Sequence, residues 1–203
     1  RYNTDSNKME CFNGTKWMQV AVSSHDLNGG SGRGLVMQGI EPSIVNSISY
    51  IDITNTGTGY DFGDATAGKR AAAGCASATR ALSGGGNNPG VHDEVDYFTF
   101  ASTGNGTDWG DLDADRSAMG ACGNATRGIF AGGYTPSPSN IVELVTIAAT
   151  GSAQDFGDLS TNRWDVSTMA SPTRGVFANG TVVAANDTVS NIIEYVTIAT
   201  TGN

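Results

Sequence analysis

The segment Asp61-Phe62-Gly63-Asp64 has the residue types of a metal-holding Asp-Phe-Gly, the element that sets a cation against a transferring phosphate. The pattern returns as Asp108-Trp109-Gly110-Asp111 and as Asp155-Phe156-Gly157-Asp158, each time after 47 residues. A catalytic metal ligand is needed once, together with a Gly-rich loop, a paired lysine and a catalytic loop, and the chain has none of these. Three copies at one period read instead as scaffold. Phe62, Trp109 and Phe156 are expected to pack between neighbouring repeats, with the aspartates accepting from turn backbone or pairing with repeated arginines. A calcium ion on these carboxylates is the alternative, since a hard cation takes oxygen ligands.

Other constellations are thinner. His25 and His92 stand 67 residues apart at non-equivalent positions, which excludes a histidine pair on one strand. Ser31-Gly32-Arg33-Gly34 is a Gly-rich turn, and Gly68-Lys69-Arg70 lacks the hydroxyl residue of a phosphate-cradling loop. No Gly-x-Ser-x-Gly elbow occurs. Abundant Asp leaves a carboxylate pair for glycoside cleavage as an alternative, although acids recurring at the repeat period are more simply turn formers. Asn105-Gly-Thr and Asn124-Ala-Thr are sequons expected by chance in so Asn- and Thr-rich a chain. Cys11, Cys75 and Cys122 are an odd set without Cys-x-x-Cys spacing, so Cys75 and Cys122, 47 apart, read as small buried hydrophobes.

The elements that would position these residues follow from the period. Arg33, Arg80, Arg127 and Arg174 lie at three successive steps of 47, and Gly39, Gly86, Gly133 and Gly180 close the stretch that each begins. A second block alternates apolar and polar residues, with Ile51/Ile53, Phe98/Phe100, Val145/Ile147 and Val196/Ile198 set around Asp52, Thr99, Thr146 and Thr197. Period-two alternation gives a strand with one face in a core. Lys69, Arg116 and Arg163 follow the third block, again 47 apart, and the fourth repeat is four residues longer around 184–187. Thr-Gly, Gly-Gly and Asn-Gly pairs punctuate the runs. The expectation is an all-β protein with three to four short strands per repeat.

Composition agrees. Gly contributes 28 of 203 residues, and charged residues make up only 15%. The net charge of −9 argues against nucleic acid and against an anionic membrane surface, because no basic stripe is present to neutralise phosphates. No apolar run reaches the ~18–20 residues that span a bilayer. Beginning at Arg1, the chain is expected to lack an upstream portion.

Repeats of this length with about four strands each are the signature of propeller blades, and their details resemble kelch repeats. A kelch unit carries a glycine doublet after a strand, a Tyr-bearing strand, an aromatic and a basic residue. Gly85-Gly86, Tyr97, Trp109 and Arg116 follow that order, as do Gly132-Gly133, Val142 to Ile147, Phe156 and Arg163. Gln38-Gly39 and Asn179-Gly180 replace the doublet in the outer copies, and Leu144 stands where the other repeats have Tyr50, Tyr97 and Tyr195. The resemblance implies a kelch-like β-propeller of about four blades over residues 18–203. Its ring would be closed by the strand after Trp17, Met18 to Val22, beside the Val196–Ile198 strand; an open array is the rival.

Residues 1–17 lie outside the repeat and read as a β-hairpin with an Asn13-Gly14 turn. Arg1-Tyr2-Asn3-Thr4, Lys8, Glu10, Asn13-Gly14 and Trp17 resemble a hairpin of bacteriophage tail-fibre and virion structural proteins. The repeat text, Thr173-Arg174-Gly175-Val176-Phe177 among it, is similar to arrays in structural proteins of marine tailed phages. The resemblance implies a non-enzymatic virion protein without cofactor or metal, in a tail fibre, spike or decoration module. Its partners would be other virion proteins and a host-surface glycan or protein, and it would be a homo-oligomer, trimers included. Alternatives of other classes are a glycan-processing enzyme and a cellular kelch-like adaptor. Binding residues are expected where copies differ, after the glycine-ended strand: Ile40, Asn46, Asn87, His92, Tyr134, Asn140, Val183, Asn186 and Asp187.

Overall fold

The computed structural model of the chain describes residues 2–3, 8–12, 14–15, 17–19, 32–183 and 188–200. At the N-terminus β1 (Tyr2–Asn3), β2 (Lys8–Phe12) and β3 (Trp17–Gln19) form a three-stranded antiparallel sheet in that order. Gly14, at φ +94°, sits in the loop that brings Trp17 opposite Phe12. The small sheet therefore takes in Trp17–Gln19, with β3 paired to β2, and among the described residues no pairing joins β3 to the C-terminal strand expected to close a ring. Residues 20–22 of that expected strand lie outside the described residues, as does His25.

Each repeat then builds one antiparallel sheet. The first holds β4 (Arg33–Ile40), β5 (Ile44–Asp52) and β6 (Tyr60–Asp64). The second is a four-stranded meander of β7 (Ala73–Ala76), β8 (Arg80–Gly84), β9 (Glu94–Thr99) and β10 (Thr107–Asp111). In the third, β11 (Gly120–Gly123) and β12 (Arg127–Ala131) precede a hairpin of β13 (Tyr134–Thr135) and β14 (Ser137–Pro138). The sheet resumes with β15 (Ile141–Thr146) and β16 (Gln154–Asp158). The fourth runs β17 (Ser167–Ala170), β18 (Arg174–Ala178), a hairpin of β19 (Thr181–Val183) and β20 (Thr188–Val189), and β21 (Ile193–Thr197). The protein is all-β, in antiparallel sheets, with no helix among the described residues.

Sheets of consecutive repeats pack face to face, and the core is divided into the spaces between them. Ile48 and Phe62 of the first sheet meet Ala81, Phe98 and Phe100 of the second. Leu82, Val95 and Trp109 meet Phe130, Val145 and Ile147 of the third. Ile129, Val142 and Phe156 meet Phe177 and Ile198 of the fourth. Strand β11 runs beside both β7 and β17, so the first strands of the second, third and fourth sheets lie together along one edge of the stack. Cys75 and Cys122 are free, buried thiols, and each sulfur lies against the backbone of a glycine in the next repeat, Gly128 and Gly175. Burial pushes both thiols upward, that of Cys122 to about 12.

The Asp-aromatic-Gly-Asp segments are sheet devices. Each contributes a β-bulge to the pairing of its strand with the preceding one, and the glycine takes a left-handed φ there: +140° at Gly63, +130° at Gly110 and Gly157. The bulge turns Phe62, Trp109 and Phe156 into the inter-sheet core, where each large ring contributes on the order of 2–3 kcal/mol. The Gly110 N–H donates to Asp108 Oδ1 at 2.9 Å and the Gly157 N–H to Asp155 Oδ1 at 3.0 Å. So the first aspartate steadies the bulge. The next repeat then docks on this strand through backbone: Gly104 N–H to the Phe62 carbonyl (2.7 Å), and Gly151 N–H to the Trp109 carbonyl (2.9 Å).

Two sets of cations cross each junction. Arg33 Nη1 donates to the Phe100 carbonyl at 2.7 Å, Arg80 Nη1 to Ala148 at 2.9 Å, and Arg127 Nη1 to Ile198 at 2.9 Å and Thr200 at 2.6 Å. Each arginine thus caps the tight turn after the corresponding strand of the next sheet. Arg33 and Arg80 also lie over the rings of Tyr50 and Tyr97, a cation–π contact that Leu144 denies to Arg127. The second set comes from the linkers between sheets. Arg116 and Arg163 are fully buried and pair with Glu143 and Glu194 of the following sheet. Arg116 Nη1 also donates to the carbonyls of Gly132 (2.7 Å) and Ile141 (3.0 Å), and Arg163 Nη1 to those of Asn179 and Ile192. Burial lowers the Arg116 guanidinium to about 10, still charged at neutral pH. The partners of the repeated cations are therefore carbonyls and these glutamates, not the bulge aspartates that sequence also offered.

Packing explains the glycine doublets. A Cβ on Gly85 would strike the carbonyl of Arg116 and the Met119 side chain, and one on Gly132 would meet the Arg163 carbonyl at 2.5 Å. Gln38 and Asn179 hold the equivalent left-handed backbone (φ +56° and +59°) without glycine.

The tightest of the bulges gives a test. A Cβ on Gly110 would overlap the Gly151 carbonyl, whereas one on Gly90 meets nothing within 4 Å. Gly110→Ala is expected to cost ~3 kcal/mol or more in urea unfolding, and Gly90→Ala to stay within about 0.5 kcal/mol. Equal effects would remove the bulge from the docking account.

Candidate functional site

The linkers that carry the buried cations also shape a surface. Ala71, Ala118 and Asp165, at the same place in successive linkers, all adopt a left-handed φ of 52–53°. Their backbones form a ladder, with Ala118 N–H donating to the Ala71 carbonyl and Asp165 N–H to the Ala118 carbonyl, both at 2.8 Å. The residue before each pairs with the residue after the glycine-ended strand: Arg70 with Asn87, Ser117 with Tyr134, Trp164 with Thr181. The divergent loops of successive repeats are thereby brought to one side of the stack in register.

Between them lies a depression of about 520 Å³ lined by Arg70, Asn87, Ser117, Tyr134, Trp164 and Asp165, together with Ala71 and Ala118. The Tyr134 and Trp164 rings contact each other at 5.5 Å between centroids, inclined by 54°. Arg70 Nε reaches Asn87 Oδ1 at 3.4 Å. Two aromatic faces beside a guanidinium, a carboxylate and a carboxamide suit a ligand with both an apolar face and hydrogen-bonding edges.

The residues nominated from sequence divide. Asn87 and Tyr134 line the depression. Asn46 and Asn140 belong to the scaffold, since their carbonyls accept from Ala65 and Leu159 of the following linkers, both at 2.8 Å. His92 is tied in as well: Nε2 lies 2.7 Å from the Asn88 carbonyl and Nδ1 3.2 Å from Glu94. Ile40 sits at the tip of the β4–β5 hairpin, exposed. Val183 ends β19, and Asn186 and Asp187 lie outside the described residues. Sequence reasoning did not nominate Arg70, Trp164 and Asp165. The available signal was divergence in register, for Arg70, Ser117 and Trp164 share one repeat position and differ in kind.

Among the described residues no three His, Cys, Asp or Glu side chains gather as a metal site. In two of the three bulges the first aspartate, Asp108 or Asp155, accepts the backbone N–H of the bulge glycine. Asn124, part of a sequon, holds the turn before Arg127 by accepting from the Thr126 and Arg127 N–H groups. No protein-family model and no curated protein matches the chain.

One ionisable group near this face is set by a linker cation. Burial acts to raise the Glu94 carboxyl, but the hydrogen bond and charge of Lys69, 2.9 Å away, outweigh it and hold the group below the usual carboxylate range. A depressed folded pKa means that the pair's contribution is present above the unfolded value of about 4.3 and is lost as pH falls through the folded one. Lys69→Met should raise the Glu94 carboxyl in an NMR titration and flatten the acid limb of the stability profile. An unmoved Glu94 titration would show that Lys69 does not set it.

Proposed function

We propose that this chain is a non-catalytic virion structural module, part of a tail fibre, spike or decoration, whose sheets are propeller-type blades and whose loop side binds the partner. The observation that carries the binding surface is the in-register row Arg70–Asn87, Ser117–Tyr134 and Trp164–Thr181. It turns three divergent loops into one surface, with Tyr134 and Trp164 at its centre. In a repeat protein the shared residues are consumed by the scaffold, and variation is free only where side chains leave it. Here the shared residues are the bulge aromatics, the doublet glycines and the junction cations, all engaged between sheets.

Support for the blade reading is the face-to-face packing of four antiparallel sheets, the first strands of the second, third and fourth lying side by side. Support for the virion reading is the likeness of the N-terminal segment and of the repeat text. The ligand that suits the surface is a host-surface glycan or a loop of a neighbouring virion protein, because aromatic rings beside polar groups bind both.

The test is twofold. Mass spectrometry of purified phage particles encoding the chain should find it at a fixed copy number; absence from particles would overturn the virion reading. Particles carrying Tyr134→Ala with Trp164→Ala should adsorb to host cells at least ~10-fold more slowly, equivalent to about 1.4 kcal/mol. The isolated variant should keep its far-UV spectrum. Unchanged adsorption by such particles would overturn the loop side as the binding surface.

A further inference from the structure

Among the described residues the stack of repeat sheets has two end faces, and the internal junctions show what such faces are built to do. At every junction the rear face of the later sheet is covered by the earlier one. Ser83, Phe130 and Phe177, at one repeat position, are 0–6% exposed, whereas their counterpart in the first sheet, Val36, is 61% exposed. Phe100, Ile147 and Ile198 are 0–4% exposed, and their counterpart Ile53 is 66% exposed. Ile51, the counterpart of the buried Phe98 and Val145, is exposed as well.

The forward face of the fourth sheet has the opposite half. Met169 stands where Cys75 and Cys122 bury their sulfurs against a glycine of the next repeat, and it is 65% exposed. Ile193, the counterpart of the buried Ile48, Val95 and Val142, is 70% exposed. Arg174 lies over Tyr195 at 4.5 Å, as Arg33 lies over Tyr50 and Arg80 over Tyr97. Arg33, Arg80 and Arg127 all donate across a junction to the carbonyls of the next tight turn, and Arg174 is poised at the same place on its strand.

We propose that these faces are the two halves of one head-to-tail interface, with a second copy of this chain as the occupant. Arg174 of one copy donates to the Ile53 carbonyl of the next, Met169 lies on Gly34, and Ile193 and Tyr195 cover Val36 and Ile51. The match extends to charge. Ser49 stands where Asp96, Glu143 and Glu194 receive the preceding linker, so the rear face of the first sheet demands no buried cation. It needs apolar area and one guanidinium donor, which the fourth sheet supplies. A face meant for solvent would carry polar residues at Val36, Ile53, Met169 and Ile193. The two faces differ from each other, so the contact is heterologous: it closes into a ring if the rotation per copy allows and otherwise grows as a filament.

Sedimentation velocity of the full chain should show mass rising at least twofold between about 1 µM and about 200 µM. Ile53→Asp spoils only the rear face and Met169→Asp only the forward face; both sites are exposed, so circular dichroism should show each variant folded. Each alone should be monomeric. Mixed in equal amounts they should form a complex of twice the 20.9 kDa chain that grows no further, because one intact face of each kind remains. A wild-type chain that stays monomeric throughout, as it would if the faces met within one molecule or served a different protein, overturns the proposal. So does self-association that survives in either variant alone, or a mixture that stays monomeric.

Discussion

Burial of a linker cation inside the following repeat is the interaction on which the rest of the structure depends. Arg116 leaves the second sheet, gives its backbone carbonyl to Gly86 of that sheet, and sends its guanidinium into the third, where Glu143, Gly132 and Ile141 receive it. Arg163 repeats the arrangement one step on. Taking both charges out of water costs several kcal/mol per ion, which only good geometry with further hydrogen bonds offsets. Such a pair adds little net stability over an apolar one of the same volume. What it adds is order: a sheet shifted by one residue, or tilted, would leave a charge in the core without its partner.

The remaining junction chemistry is consistent with that placement. Glu143 is held by the Arg116 guanidinium and also accepts from the Asp113 N–H, as Glu194 accepts from Ser160 and Asp96 from Thr66. The carboxylate therefore fixes the path of the linker as well as its charge. With the linker fixed, the glycine doublet must run directly beneath it, which leaves no room for a Cβ at Gly85 or Gly132. The first junction varies the theme: Lys69 reaches Glu94 rather than Asp96, and Asp96 serves Thr66 through both oxygens. A lysine head is a point donor and accepts this change of partner, where a guanidinium fork would not.

Much of this was legible in the sequence. The period, the all-β class and the structural nature of the Asp-aromatic-Gly-Asp segments follow from residues that recur, because recurrence marks what every junction needs. Pairing across junctions was harder to read. Arg116 and Glu143 are 27 positions apart in a chain whose Asp and Glu are numerous, and only the stacking of sheets selects among them. Tyr134 and Asn87 were found because they follow the doublet, and Trp164 and Arg70 were missed because the linker looked like scaffold. Asn46 and Asn140 show the reverse error: they stand with Asp93 at one repeat position, whose carbonyl accepts from the following linker in each copy, so they are scaffold. Closure by the strand after Trp17 was a phase argument from where the repeat breaks off, and most of that strand, residues 20–22, lies outside the described residues.

The central claim is that the linker cation and its glutamate are one buried unit across a junction. A double-mutant cycle at Arg116 and Glu143, read by urea unfolding, tests it most directly. Arg116→Met alone should cost about 3–5 kcal/mol, because it leaves Glu143 buried without its cation, and Arg116→Met with Glu143→Leu should recover most of that loss. Additive costs, or a single substitution that leaves the midpoint in place, would contradict the account.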